Sequence, residues 1–204
     1  MKTTFILTMQ KIMFAIVCVL VLIGCSGTVT CPEFDEGVFS WMPYQKNDII
    51  ELYSQSNNSS ITTIIESAEI THTTSYEKGK DCGHCDDEIS IIGSNFGIYI
   101  RLESGKINYQ TYRVGDTYFG DWDGNYSYSE FTNFSFEGNT YDAVRVFEKT
   151  NSHQFKKLII AKDIGIIGLV DIDDNTWVLK TNIPVQKSNE PAERGGIVIN
   201  NTSC

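Results

Sequence analysis

From about residue 48 the chain reads as short apolar–polar segments separated by turn residues, with almost no stretch of helical period. "NDIIELYS" and "SSITTIIESAEITHTTSY" flank an Asn/Ser-rich turn at 55–60. "FGIYIRLE" alternates cleanly: Ile98, Ile100 and Leu102 fall on one face, Tyr99, Arg101 and Glu103 on the other. That is the period-2 signature of a strand with one buried face. "SGK" at 104–106 closes a hairpin onto "INYQTYRV". The pattern continues through "YSYSEFTNFSF", the turn "EGNT", "YDAVRVFEKT", a polar break at 151–154, "FKKLIIAK", "GIIGLVDI", the acidic turn "DDNT" and "WVLKT". This spacing predicts a single all-β domain over residues 38–188, an antiparallel meander forming a curved sheet, a partly closed barrel or a sandwich. The tail, 189–204, reads as loosely ordered.

The first 25 residues follow a different rule. "MKTTFILTMQKIMFAIVCVLVLIGC" carries Lys2 and Lys11, then an apolar run from Ile12 to Ile23, then Gly24-Cys25. A basic start and a short apolar run make a secretory signal, too short for a comfortable membrane span. Leu22-Ile23-Gly24-Cys25 resembles the bacterial lipobox, which implies cleavage between Gly24 and Cys25 and acyl chains on Cys25. Residues 1–24 are then signal peptide and 25–37 a lipidated tether. At ~0.8 kcal/mol per buried methylene, several acyl chains hold a domain on a bilayer without a transmembrane helix. At ~3.5 Å per extended residue, "SGTVTCPE" reaches about 25–30 Å. Ser26 is uncharged, and by resemblance to enteric sorting rules the absence of Asp there implies the outer membrane.

Removal of residues 1–24 leaves 180 residues and takes away two lysines, moving the formal charge from −10 to −12. The chain is long enough for one sizeable core. No Lys/Arg cluster is present to neutralise a phosphate backbone, so nucleic acid is excluded as a partner. At 12% aromatic residues, with many β-branched ones, the chain suits a packed β fold rather than a disordered spacer.

Six cysteines include Cys18, lost with the signal, and Cys25. Cys31, Cys82, Cys85 and Cys204 remain as disulfide candidates, with three possible pairings, in a compartment that favours oxidation. A Cys82–Cys85 bond would contribute only ~2 kcal/mol by the chain-entropy model, against ~5 for Cys31–Cys204. Cys82-Gly83-His84-Cys85 is the tetrad of protein disulfide isomerases, letter for letter. Its surroundings argue against that chemistry. Asp81 precedes it, and Asp86, Asp87 and Glu88 follow, which disfavours a thiolate; Lys78, Lys80 and His84 offset them only partly. No βαβ pattern frames it. The sequence favours a structural disulfide or loop thiols, with thiol–disulfide exchange at Cys82/Cys85 as the alternative.

His72, Cys82, His84 and Cys85 offer N/S ligands for zinc, but His84 lies between the cysteines and its side chain tends to diverge from both. "DWDGN" at 121–125 suggests part of a calcium loop, with Glu130 as the nearby distal carboxylate, yet Asp-Gly is a strong hairpin turn and the flanks read as strands. "DIDDNT" at 171–176 reads as a turn on the same grounds. The aromatic runs "FSWMPY" and "YSYSEFTNFSF" suit a β core more than a ligand cavity. Asn58, Asn125, Asn133 and Asn201 head Asn-x-Ser/Thr triplets that are irrelevant behind a bacterial signal. His72, His84 and His153 sit in polar surroundings and no nucleophile elbow or phosphate loop occurs, so no catalytic residue, metal or cofactor is assigned.

"FEGNTYDAVRVFEK" followed by "LIIAKDIGIIGLVDIDDNTWVL", with "FSWMPYQKNDIIEL" near the start, resembles a pattern in small lipoproteins of Bacteroidota-type bacteria. The resemblance spans most of residues 38–180 and rests on structural glycines and aromatics. It implies fold and location and supplies no catalytic residue. The sequence therefore predicts a non-catalytic, lipid-anchored envelope protein. It would contact the membrane through lipid and bind an envelope protein, a glycan or an apolar ligand.

Overall fold

The computed structural model describes residues 27–78, 83–122, 124, 126–152, 154–180 and 198–203. Thirteen strands are present among them: β1 (Thr28–Thr30), β2 (Ile49–Ser54), β3 (Ser59–Glu77), β4 (Asp86–Gly93), β5 (Phe96–Glu103), β6 (Lys106–Val114), β7 (Thr117–Gly120), β8 (Tyr126–Phe136), β9 (Asn139–Lys149), β10 (Phe155–Ala161), β11 (Gly165–Asp171), β12 (Thr176–Leu179) and β13 (Val198–Ser203). A 3-10 turn, Glu36–Trp41, precedes β2. The strands form one antiparallel path, β7-β6-β5-β4-β3-β2-β12-β11-β10-β9-β8, with β1 and β13 added to β3. The path curls into a nearly closed barrel with one seam. The all-β, curved-sheet prediction holds.

The alternation read from the sequence sets the two faces. Ile98, Ile100 and Leu102 point inward and are buried, as are Ile89 and Ile91 of β4 and Tyr112 and Val114 of β6. Phe119, Phe147, Leu158 and Leu169 fill the interior from the other strands. The 3-10 turn lies across this concave face. Asp35 starts it by accepting from Gly37 N at 2.8 Å, and it delivers Phe39, Met42 and Tyr44 to the core. Tyr44 reaches Phe96 edge-on at 5.6 Å, while the Arg145 guanidinium stands 4.0 Å from the centre of the Trp41 ring. The run "FSWMPY" is thus core, as expected. "YSYSEFTNFSF" is divided. Tyr126 and Tyr128 pack on Phe147, whereas Phe134 and Phe136 cover a second, smaller core of Val144, Val146, Ile159, Ala161 and Ile167.

β7 and β8 end the path, and side chains close the seam beside β7. Thr117 Oγ1 accepts from Phe155 N at 3.3 Å, Asp116 N donates to Gln154 Oε1 at 3.4 Å, and Lys149 Nζ donates to Tyr118 O at 3.1 Å.

The two ends of the chain depart from expectation. Thr28–Thr30, within the expected tether, pairs antiparallel with the end of β3. Val198–Ser203, within the expected loose tail, pairs parallel with Glu69–Ser75 of β3. The reason is the length of β3. Its 19 residues outrun β2 and β4 and leave unpaired edge that short β-capable segments satisfy. Local alternation carries no signal for such pairing.

Candidate functional site

On the outer face of β4–β7 the strand register stacks two rows of side chains. One row runs Ser90, Tyr99, Thr111, Gly120; the next runs Ile92, Gly97, Arg113, Tyr118. Two of the eight positions are glycine, and the missing side chain at Gly97 opens a hollow between Ile92 and Arg113. The result is a groove of about 490 Å³. Tyr99 and Tyr109 form one wall, edge to face at 5.7 Å. Tyr118 and Trp122 form the other, stacked at 5.7 Å with 21° between their planes. These apolar side chains are presented rather than buried: Trp122 is 66% exposed, Ile92 45% and Tyr99 37%.

The glycines differ in what they permit. A Cβ on Gly97 would lie 3.6 Å from Arg113 Nε and 3.8 Å from Ile91 O, ordinary contact distances. Gly120, at φ +110°, lies with its missing Cβ far inside contact of Gln110 O. Gly120 is required by the backbone; Gly97 is required only by the hollow.

The groove's electrostatics are unlike those of the chain. Among the described residues that line it none is a carboxylate and Arg113 is the cation, with Glu88 reaching the Tyr99 phenol at the edge. Arg113 donates from Nη2 to Gly93 O at 3.4 Å and makes no ion pair among the described residues. Thr111, 6% exposed, is on the floor, and its hydroxyl has no hydrogen-bond partner among the described residues. Partial burial and a hydrogen bond with Glu88 push the Tyr99 phenol above its ordinary value. These groups can bind, by stacking and hydrogen bonding; among the described residues the wall holds no nucleophile–base pair.

The tetrad is resolved by β3. Its one edge carries β1 through residue 75 and β4 up to residue 72, so the end of β1 and the start of β4 meet there. Cys31 N donates to Thr74 O at 2.9 Å. Cys31 and Cys85 form a disulfide, Cα–Cα 5.3 Å. Cys85 is therefore paired outside the tetrad, with a partner 54 residues away. Cys25, Gly24, Cys82, Cys204 and His153 lie outside the described residues.

The metal candidates have other partners. His72 Nδ1 bonds Asp87 Oδ1 at 2.7 Å, which also accepts from Thr73 N at 3.1 Å. In "DWDGN", Asp121 accepts from Gln110 N at 2.8 Å and from Tyr126 OH at 2.9 Å, while Asp123 and Asn125 lie outside the described residues. Glu130 is held by Arg145 Nε at 2.9 Å and by Tyr128. Asp171 caps the "DIDDNT" turn, accepting from Asp173 N, Asn175 N, Asn175 Nδ2 and Trp177 Nε1.

Sequence reading placed Tyr99 on an exposed face but did not assemble the groove. Ser90, Thr111, Arg113, Tyr118 and Trp122 come from three further strands and a turn, and only the register brings them together. The available signals were a glycine inside a strand of otherwise bulky residues and a tryptophan in a polar turn. Neither a family model, nor a curated protein, nor a solved structure matches the chain.

Proposed function

We propose that this chain is a lipid-anchored cell-envelope protein, held by acyl chains on Cys25 and placed at the outer membrane, whose β barrel binds a ligand non-catalytically in the outer groove of β4–β7. The observation that carries the reading is the groove itself: exposed ring faces and an arginine with no ion pair among the described residues converge on one hollow. The short sequence distance from Cys25 to β1 supports the anchor. β1 begins at Thr28, three residues after Cys25, so the anchored end of β3 would lie within about 10 Å of the lipid. From there, nine residues of β3 separate Tyr76 from Ser67, which pairs with Ile92 at the groove. At ~3.3 Å per residue the groove lies roughly 30 Å along β3 from that end.

The alternatives have weaker support. A thiol-exchange role at Cys82/Cys85 would begin with Cys85 already bonded to Cys31, and an apolar carrier would need interior room where Tyr112, Phe119 and Phe147 stand fully buried. The test is fractionation of cells labelled with palmitate. Wild type should carry label and sediment with the outer membrane, and Cys25→Ala should lose both. A firmly membrane-bound, unlabelled Cys25→Ala protein would sink the anchoring part.

A further inference from the structure

What the groove takes follows from the chemistry of its walls. The Trp122–Tyr118 stack offers a flat apolar surface about the size of one sugar ring, with the outer indole face open. Pyranose rings carry a C–H face that lies on aromatic planes and a rim of hydroxyls that need partners. The rim has them here. The Ser90 hydroxyl lines the groove in the same row as Tyr99, beside the guanidinium N–H groups of Arg113; the Thr111 hydroxyl below them is shielded and has no partner among the described residues. Arg113 is the direct cross-strand neighbour of Tyr118. In a chain of formal charge −10, a groove whose described lining has an arginine and no carboxylate is a local exception, and charge complementarity gives the ligand a negative group that the guanidinium fork can hold.

An acyl chain fits less well, because the open groove would leave it half in water and a polar group recurs along each row. An added peptide strand is ruled out on the floor, since β4, β5 and β6 have both edges paired.

Resting on the binding role proposed above, we infer that the groove takes a saccharide bearing a carboxylated pyranose ring, the ring laid on the Trp122–Tyr118 stack and its carboxylate held by Arg113. The test is calorimetric titration of the full chain in detergent with a panel of uronic-acid oligosaccharides, their neutral counterparts, palmitate and a proline-rich peptide. A uronic-acid oligosaccharide should bind. Trp122→Ala, which removes a mostly exposed ring, should weaken it at least about tenfold. Arg113→Gln should weaken it about tenfold and abolish its salt dependence. Equal binding of the neutral counterparts, or an Arg113→Gln variant indistinguishable from wild type, would overturn the carboxylate assignment. Binding of palmitate or the peptide alone would overturn the saccharide and keep the binding role, whereas silence from every probe would overturn both.

Discussion

The Tyr44 hydroxyl accepts a hydrogen bond from the backbone N–H of Ile166 at 2.5 Å, joining positions 122 residues apart. It ties the segment crossing the concave face to the β10–β11 turn. Gly165 makes this possible: at φ +88° it carries no Cβ to collide with the tyrosine ring. Burial drives the Tyr44 phenol far above its ordinary range, so it stays protonated and neutral.

Tyr44→Phe should lower stability by about 1–3 kcal/mol, because it strands a buried N–H. Gly165→Ala should cost more, since it adds backbone strain to a clash with the ring. Urea unfolding of the three proteins checks both. A Tyr44→Phe variant as stable as wild type would mean that Ile166 N finds another acceptor.

The Cys31–Cys85 disulfide closes a long loop, with a separation of 54 residues. Cys31→Ser should reduce stability by about 4 kcal/mol in the chain-entropy model. Peptide mapping without reductant should recover Cys31 and Cys85 in one cross-linked species. Insulin reduction by wild type should proceed no faster than by Cys82→Ser; a clear excess would restore the exchange reading of the tetrad.

The two groove glycines separate binding from folding. Gly97→Val should fill the hollow and cost at least tenfold in ligand affinity, with thermal stability nearly unchanged, because its Cβ meets only ordinary contacts and valine suits a strand. Gly120→Ala should destabilise by roughly 2 kcal/mol or more, from positive φ and collision with Gln110 O. Thermal melts read beside titrations decide it: loss of fold at Gly97→Val would contradict the assignment.

Asp171 should give stability an acid limb. Partial burial works to raise its carboxyl, but bonds from the Asn175 side chain and backbone, the Trp177 indole and the Asp173 backbone outweigh this and hold it below its ordinary 3.8. The charged form is therefore favoured in the folded state. Its contribution is complete above the unfolded value and is lost as pH falls through the lower folded one. Asp171→Asn should cost about 1 kcal/mol at pH 7 in this partly exposed turn and flatten the loss of stability below pH about 4. Denaturant midpoints at pH 3 and pH 7 for both proteins measure it.

Much of the barrel was legible because strand periodicity is local. The inward Ile98, Ile100 and Leu102, the "SGK" and "DDNT" turns and the core role of "FSWMPY" each follow from residues within a few positions of one another. The groove was not legible. Arg113 and Tyr118 are five residues apart and face each other only because β6 and β7 turn at 115–116 in one particular register, and Ser90 joins them through two more ladders. A shift of one residue in any ladder would send these side chains to the interior.

The sequence by itself determined which residues alternate, where the chain turns, and that a β core with acidic surroundings would form, since these depend on propensity and burial of near neighbours. Tertiary structure decided that Cys31 meets Cys85, that Thr28–Thr30 and Val198–Ser203 pair with β3, and that Gly97 is a hollow rather than a weak point in a strand. Those outcomes depend on the pairing of distant backbone edges and on register, which the whole sheet fixes at once and no short window of residues encodes.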